Sequence, residues 1–165
     1  MSRKGTHIFN MRFLSRSTDQ TMRLGKAIAR HALPGDIICL SGDLGSGKTV
    51  LAKGIAQGLG IDKSEVISPT FVLLRQYEGR LPLFHFDFYR LQTAADIAGL
   101  GYEEFLYGNG VSVIEWPGRM RTLLPRQHLL VELSVRGQLQ RLMRLRAFGA
   151  RYEKLIKDID EDTRG

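Results

Sequence analysis

The sequence has little of several features that would set it apart from an ordinary globular protein. Its one cysteine, Cys39, cannot form an internal disulfide, and we expect this thiol to be a small buried side chain in a reducing cytosol. No apolar run approaches the roughly 20 residues that a membrane-spanning helix needs. The charged N-terminus is not followed by the apolar stretch of a secretory signal. We therefore expect a cytoplasmic protein that does not contact a membrane.

Acidic residues are scarce in one long stretch of the chain. The stretch from Arg119 to Arg151 contains eight arginines and one acid, Glu132. Such a basic surface could meet nucleic acid, an acidic protein or nucleotide phosphates, or it could simply be solvated. Residues 119–146 contain no aromatic side chain that could stack on bases. A module that only binds nucleic acid is therefore disfavoured, whereas contact with nucleic-acid phosphates stays open.

Hydrophobic periodicity predicts one α/β domain over residues 1–158, followed by a frayed tail at 159–165. Alternation and continuous apolar runs predict strands at 7–13, 37–40, 71–77, 81–88, 111–114, 128–135 and 140–148. Helices are predicted at about 48–59 and 150–158, at 94–106 with a break near Gly99 and Gly101, and after a capping box from Ser17 to Gln20. The predicted fold has three layers, and a glycine-rich motif from Gly42 to Thr49 makes it similar to the P-loop NTPases. Its central sheet is mostly parallel, with antiparallel edge strands and hairpins.

The segment from Gly42 to Thr49 matches G-x-x-x-x-G-K-[ST] at every required position, between a predicted strand and a helix. Glycines allow backbone N–H groups to wrap around phosphates, and the helix N-terminus favours their negative charge. We expect Lys48 to reach the β- and γ-phosphates of ATP and Thr49 to coordinate Mg²⁺. The predicted nucleotide-binding residues are Asp43, Leu44, Gly45, Ser46, Gly47, Lys48 and Thr49.

A phosphate-binding loop of this kind needs a carboxylate at the end of a neighbouring buried strand. Glu115 ends the run at 111–114, and Asp87 ends the strand at 81–88. A lone acid after apolar residues can also cap a turn. We predict Glu115 as the metal-side ligand, directly or through water, and Asp87 as the residue that orders metal-bound or attacking water.

Together these motifs resemble one family, the ATPase component of bacterial tRNA threonylcarbamoyladenosine biosynthesis, the TsaE family. The similarity runs from about Thr21 to Arg146. The segments that carry it, besides the phosphate-binding loop, are Ser68-Pro69-Thr70-Phe71, His85-Phe86-Asp87-Phe88-Tyr89-Arg90, Leu100-Gly101-Tyr102-Glu103-Glu104 and Glu115-Trp116-Pro117. The phosphate-binding loop alone identifies only a superfamily, whereas the ordered set of motifs at these separations is specific.

The resemblance implies an enzyme that hydrolyses ATP with Mg²⁺, weakly when alone. Its partners are the two protein subunits of the bacterial threonylcarbamoyl transferase complex, which modify adenosine 37 of tRNA. Hydrolysis resets that complex between turnovers. Any contact with tRNA is expected to be indirect or through the basic face at 119–151, and the sequence does not decide between the two. The implied catalytic residues are Lys48, Asp87, Glu115 and Thr70, with Thr70 sensing the γ-phosphate. The implied metal residues are Thr49, Glu115 and Asp87.

Some residues in these motifs also have simpler explanations. By residue type alone, Trp116 is expected to be a buried core aromatic, and His85 a satisfied or surface histidine. The loop departs from many family members at Val50, where a second threonine is common. A P-loop small-molecule kinase is the alternative function, although the sequence shows no separate lid segment.

Overall fold

The structure is a computed structural model that describes residues 9–67 and 72–164. Its strands are β1 (Asn10–Ser15), β2 (Ile37–Ser41), β3 (Leu74–Tyr77), β4 (Leu83–Asp87), β5 (Val111–Glu115), β6 (His128–Val135) and β7 (Arg141–Phe148). Its α-helices are α1 (Thr18–Arg30), α2 (Lys48–Gly58), α3 (Ala94–Ala98), α4 (Glu103–Leu106) and α5 (Ala150–Arg164). Short 3₁₀ turns occupy Lys63–Glu65 and Pro117–Leu123.

The strands form one seven-stranded sheet in the order β1-β7-β6-β2-β5-β4-β3. Strands β6, β2, β5 and β4 run parallel, whereas β3, β7 and β1 pair with their neighbours antiparallel. This confirms the predicted α/β fold with a parallel centre and antiparallel edges. Because the parallel strands share one direction, the carboxyl ends of β2, β4 and β5 meet at one edge.

Hydrophobic clusters cover both faces of the parallel half of the sheet. In β2, Ile38 and Leu40 pack with α1, α2 and α5, whereas Ile37 and Cys39 belong to the cluster that includes α3 and α4. All four side chains are buried, as the continuous apolar run predicted. Burial raises the pKa of the Cys39 thiol, so the thiol stays protonated.

Helix α2, which begins at the phosphate-binding loop, lies against α1 at backbone distance. A Cβ atom added to Gly25 of α1 would lie 2.7 Å from the backbone nitrogen of Ile55. A Cβ atom added to Gly54 of α2 would lie 2.5 Å from the carbonyl oxygen of Met22. The two glycines therefore permit the contact that fixes the position of α2.

Several predicted boundaries differ from the structure. The edge strand predicted at 7–13 is found at Asn10–Ser15, because its bounds follow its pairing with β7; residues 7 and 8 lie outside the described residues. The helix predicted at 94–106 is broken as expected, into α3 and α4.

The last helix is longer than predicted. Helix α5 continues from Ala150 to Arg164, through the segment that we expected to fray. Ile159 is fully buried in the core, and Asp162 accepts hydrogen bonds from Arg30 and His31 at 2.8 Å each. These contacts with α1 hold a helical end whose acidic composition suggested a solvated tail. None of the helices in the described part of the chain is long and apolar enough to cross a membrane.

Candidate functional site

The glycine-rich loop joins β2 to α2 and adopts backbone angles that favour glycine. Gly45 and Gly47 have φ values of 78° and 104°, and Gly47 is the N-cap of α2. At Gly42 a Cβ atom would lie 2.6 Å from the carbonyl oxygen of Leu133, so a side chain has no room there. The loop therefore presents the N-terminus of α2 with its backbone N–H groups uncovered by side chains, an arrangement that suits phosphate.

Lys48 is folded back into this loop. Its Nζ donates to the carbonyl oxygens of Gly42 and Asp43, the latter at 2.9 Å. Only 6% of the side chain is exposed. Burial lowers the pKa of Lys48, and the nearby carboxylates of Glu115 and Asp87 partly oppose that shift.

Asp87 and Glu115 end β4 and β5 and are direct register partners. Both side chains are buried, at 3% exposure each. The Oδ1 atom of Asp87 accepts from the backbone N–H of Tyr89 at 2.9 Å. The two strand ends thus hold two carboxylates side by side, next to the amine of Lys48.

His85 lies beneath these carboxylates and contacts one of them. It is fully buried, and its Nε2 lies 2.7 Å from Oε2 of Glu115. Its Nδ1 has no hydrogen-bond partner among the described residues. The alternative of a surface histidine is therefore wrong. The sequence contains a signal for the contact between His85 and Glu115. His85 precedes Asp87 by two residues and therefore lies on the same face of β4.

Trp116 follows Glu115 in the left-handed region, with φ 60° and ψ 51°. This strained angle for a non-glycine residue directs the indole over the site. The Lys48 amine lies 4.7 Å from the ring centroid, and the Tyr89 ring lies 5.0 Å away. The expectation of a buried core aromatic is met only in part, because Trp116 packs against the second hydrophobic cluster but is half-buried and lines the cavity.

A single open cavity brings these groups together. Its walls are Leu44, Gly45, Gly47, Lys48, Thr49, Val50, Asp87, Tyr89, Glu115 and Trp116. Of the other predicted nucleotide-binding residues, Asp43 is exposed and Ser46 is buried with an unpartnered hydroxyl. Thr70 lies outside the described residues.

The donor set fits a hard cation that shares its coordination with a ligand. Among the described residues, no group of three or more His, Cys, Asp and Glu side chains is arranged to hold a metal by itself. Thr49, Asp87 and Glu115 all line the cavity, and their hydroxyl and carboxylate groups are oxygen ligands. Mg²⁺ is bound in this way, through a few protein oxygens with phosphates and waters completing the octahedron.

This chain has a parallel sheet with a glycine-rich loop, a lysine that folds back into the loop, and two carboxylates at strand ends. These features define a P-loop protein, the class whose fold implies nucleotide binding. The family model described as "Threonylcarbamoyl adenosine biosynthesis protein TsaE" matches residues 15–143. The chain belongs to the TsaE family.

Individual relatives agree with this assignment. The chain is 39% identical over 142 residues to a tRNA threonylcarbamoyladenosine biosynthesis protein TsaE from Bacillus subtilis, covering 86% of this chain and 88% of that protein. It is 45% identical to the protein of that name from Treponema pallidum, covering 76% and 92%. The crystal structure of YdiB from Bacillus subtilis matches with a TM-score of 0.83 and 32% identity, over 96% of this chain and 99% of that chain.

Proposed function

We propose that this protein is the MgATP-binding and ATP-hydrolysing component of the machinery that makes N6-threonylcarbamoyladenosine at position 37 of tRNA. The observation that carries the proposal is the cavity in which Lys48, Thr49, Asp87 and Glu115 converge. The names of the relatives supply the pathway. They favour tRNA modification over the alternative of a small-molecule kinase, and we expect the work to be done in the cytoplasm.

The charges in the cavity support a nucleotide that arrives with a divalent cation. Two buried carboxylates, Asp87 and Glu115, outnumber the single amine of Lys48. A bare triphosphate would be repelled by them, whereas bound Mg²⁺ would offset the excess negative charge and polarise the phosphate oxygens. Lys48 would exchange its loop carbonyls for β- and γ-phosphate oxygens. The backbone N–H groups of the loop would hold the β-phosphate.

The two carboxylates are held differently, which suits two roles. Glu115 has one oxygen engaged by His85, so its orientation is fixed. Asp87 is held through a backbone N–H at Tyr89. We assign Glu115 to the metal side and Asp87 to the ordering of metal-bound or attacking water. We assign neither residue as a general base, in keeping with an ATPase that is weak without its partners.

The partners in this proposal are the two subunits of the threonylcarbamoyl transferase complex. The γ-phosphate would be sensed by Thr70, within the segment 68–71 that precedes β3. Loss of that phosphate on hydrolysis would release the segment and change the affinity for the partners. In this way hydrolysis would reset the transferase between turnovers.

The test is ATP hydrolysis by the purified chain, alone and with the two transferase subunits. We expect slow turnover alone, faster turnover with the subunits, and loss of both in Lys48→Ala. Lys53→Ala is the matched control, since Lys53 also lies on α2 but does not line the cavity. Partner-independent hydrolysis, together with phosphorylation of a small hydroxyl compound, would contradict the proposal in favour of a kinase.

A further inference from the structure

The helices leave one face of the sheet open over β1, β7 and β6. On the covered side of β7, Met143 and Leu145 pack into the core with the long helices. On the other side, the second hydrophobic cluster reaches only to Leu130 of β6. The side chains beyond it form what we call the open sheet face: Arg12, Leu14, Glu132, Leu142, Arg144 and Arg146.

The open sheet face concentrates positive charge that the fold does not neutralise. Arg12 and Arg144 are direct register partners on β1 and β7, and both are exposed. Glu132 is the acid of this face, and its Oε1 accepts from Arg146 at 2.9 Å. In the described part of the chain, Arg12 and Arg144 form no ion pair. Arg144 also lies opposite Glu132 on β6, but that carboxylate is engaged by Arg146. Like charges directly opposite each other destabilise a sheet, so the pairing of Arg12 with Arg144 is not explained by folding alone.

We propose that the open sheet face binds the phosphate backbone of tRNA, an inference that rests on the proposed function for the identity of the RNA. The planar guanidinium groups of Arg12 and Arg144 suit bidentate contact with phosphate. The aromatic ring at this face, Phe148, is already stacked on His128, with centroids 4.7 Å apart. Contact is therefore with the backbone and independent of base sequence.

The composition of the face favours RNA over an acidic protein. The cores of protein interfaces are apolar and rich in aromatic anchors. The open sheet face offers the paired leucines Leu14 and Leu142 beside the pair of Arg12 and Arg144, and its neighbouring ring, Phe148, is already stacked on His128. Its chemistry is that of a phosphate-binding surface.

This face adjoins the nucleotide site. A groove lined by Arg12, Glu132 and Arg144 extends to Ser41 and Gly42, where the phosphate-binding loop begins. An RNA strand on the face would therefore lie beside the loop, close enough for the two ligands to influence each other.

The experiment is fluorescence anisotropy of a labelled tRNA transcript, titrated with the full chain over a series of KCl concentrations. The test variant is Arg12→Gln with Arg144→Gln. The matched control is Arg23→Gln with Lys63→Gln, which removes the same charge from exposed positions outside the face. The slope of the logarithm of the association constant against the logarithm of the KCl concentration is negative. We expect its magnitude to decrease by about 2 in the test variant and to stay at the wild-type value in the control.

Equal slopes in the two double variants would overturn the proposal, because binding would then follow net charge alone. No binding by the wild type would overturn it as well. Loss of capture by the transferase subunits in the test variant, with RNA binding unchanged, would make the face a protein surface instead.

The variant Arg12→Gln with Arg144→Gln could melt at a lower temperature than the wild type. In that case Arg12→Lys with Arg144→Lys keeps the charge and should keep the wild-type salt dependence. ATP hydrolysis is measured on all variants. If hydrolysis is absent from the wild type while the salt slopes behave as expected, the proposed function fails and the RNA surface stands.

Discussion

At the residue scale, the site depends on a contact that lies one layer below the cavity. Glu115 lines the cavity, whereas His85 is fully buried behind it and reaches the carboxylate from β4. A histidine in this place leaves the carboxylate one oxygen free to face the cavity. In the proposed function Glu115 serves Mg²⁺, and a partner behind such a carboxylate tunes metal affinity without touching the metal.

We predict that His85→Ala lowers the affinity for Mg²⁺ in ATP hydrolysis by about 10–100-fold. It should also reduce the free energy of unfolding by about 1–3 kcal/mol, because the buried Glu115 loses its partner. The measurements are a Mg²⁺ titration of hydrolysis and urea unfolding. His85→Gln keeps a donor near the Nε2 position and should recover part of both losses. An unchanged Mg²⁺ dependence in His85→Ala would show that the contact is only structural.

At the element scale, the position of the phosphate-binding loop follows from how α1 and α2 meet. Their backbones touch at Gly25 and Gly54, so neither helix can shift toward the other. At the opposite end of the sheet, α5 is tied to β2 by Tyr152, whose hydroxyl accepts from the backbone N–H of Ile37 at 2.9 Å. These contacts yield two predictions.

Gly25→Ala should destabilise the fold by about 1–3 kcal/mol, as overpacking does, although alanine is the better helix former. The reason is the 2.7 Å approach of the new Cβ to the backbone of Ile55, which cannot rotate away. Thermal or urea unfolding measures the effect. Gly118→Ala is the control, since a Cβ there meets nothing within 4 Å. Equal stability of the two variants would contradict the proposed helix contact.

Tyr152→Phe tests the tie between α5 and β2 through pH. Burial raises the pKa of Tyr152 to about 12 from its ordinary value of 10.0. Because the pKa of Tyr152 is higher in the folded chain than in the unfolded chain, the protonated hydroxyl contributes to the free energy of unfolding. This contribution is fully present below pH 10 and is lost as the pH rises toward 12. The wild type should therefore lose about 1 kcal/mol by pH 11 through this group.

The phenylalanine variant should be less stable at pH 8 by about 1–3 kcal/mol, because the N–H of Ile37 loses its acceptor. The difference in the free energy of unfolding between the wild type and Tyr152→Phe, measured by urea unfolding, should become smaller between pH 8 and pH 11. A gap that stays constant over this range would argue against the raised pKa.

At the scale of the whole molecule, nucleotide binding and folding are linked. A ligand that binds only the folded chain raises its stability by about 2.7 kcal/mol at 100 times the dissociation constant. We predict such a rise with ADP and Mg²⁺, and a smaller one when EDTA removes the cation. Lys48→Ala should lose the rise and Lys53→Ala should keep it. A rise of equal size in Lys48→Ala would place the nucleotide elsewhere.

Much of the fold could be predicted from the sequence because its signals are local. The strand, glycine loop and helix around Lys48 carry their own pattern, and the ends of parallel strands meet by geometry, which placed Asp87 beside Glu115. The direction of Trp116 could not be predicted, since it depends on a left-handed backbone angle after a strand. The length of α5 depends on contacts of Ile159 and Asp162 with elements that are distant in the sequence. Such contacts cannot be predicted from the local composition.

The burial of Cys39 in the central strand has a practical consequence for following this molecule at work. Its thiol is fully enclosed and stays protonated, so maleimides and iodoacetamides should leave it untouched in the folded chain. A cysteine introduced at an exposed position such as Leu139 would then be the single site for a fluorophore. The natural chain can therefore carry one fluorophore at a chosen position, with no prior removal of thiols.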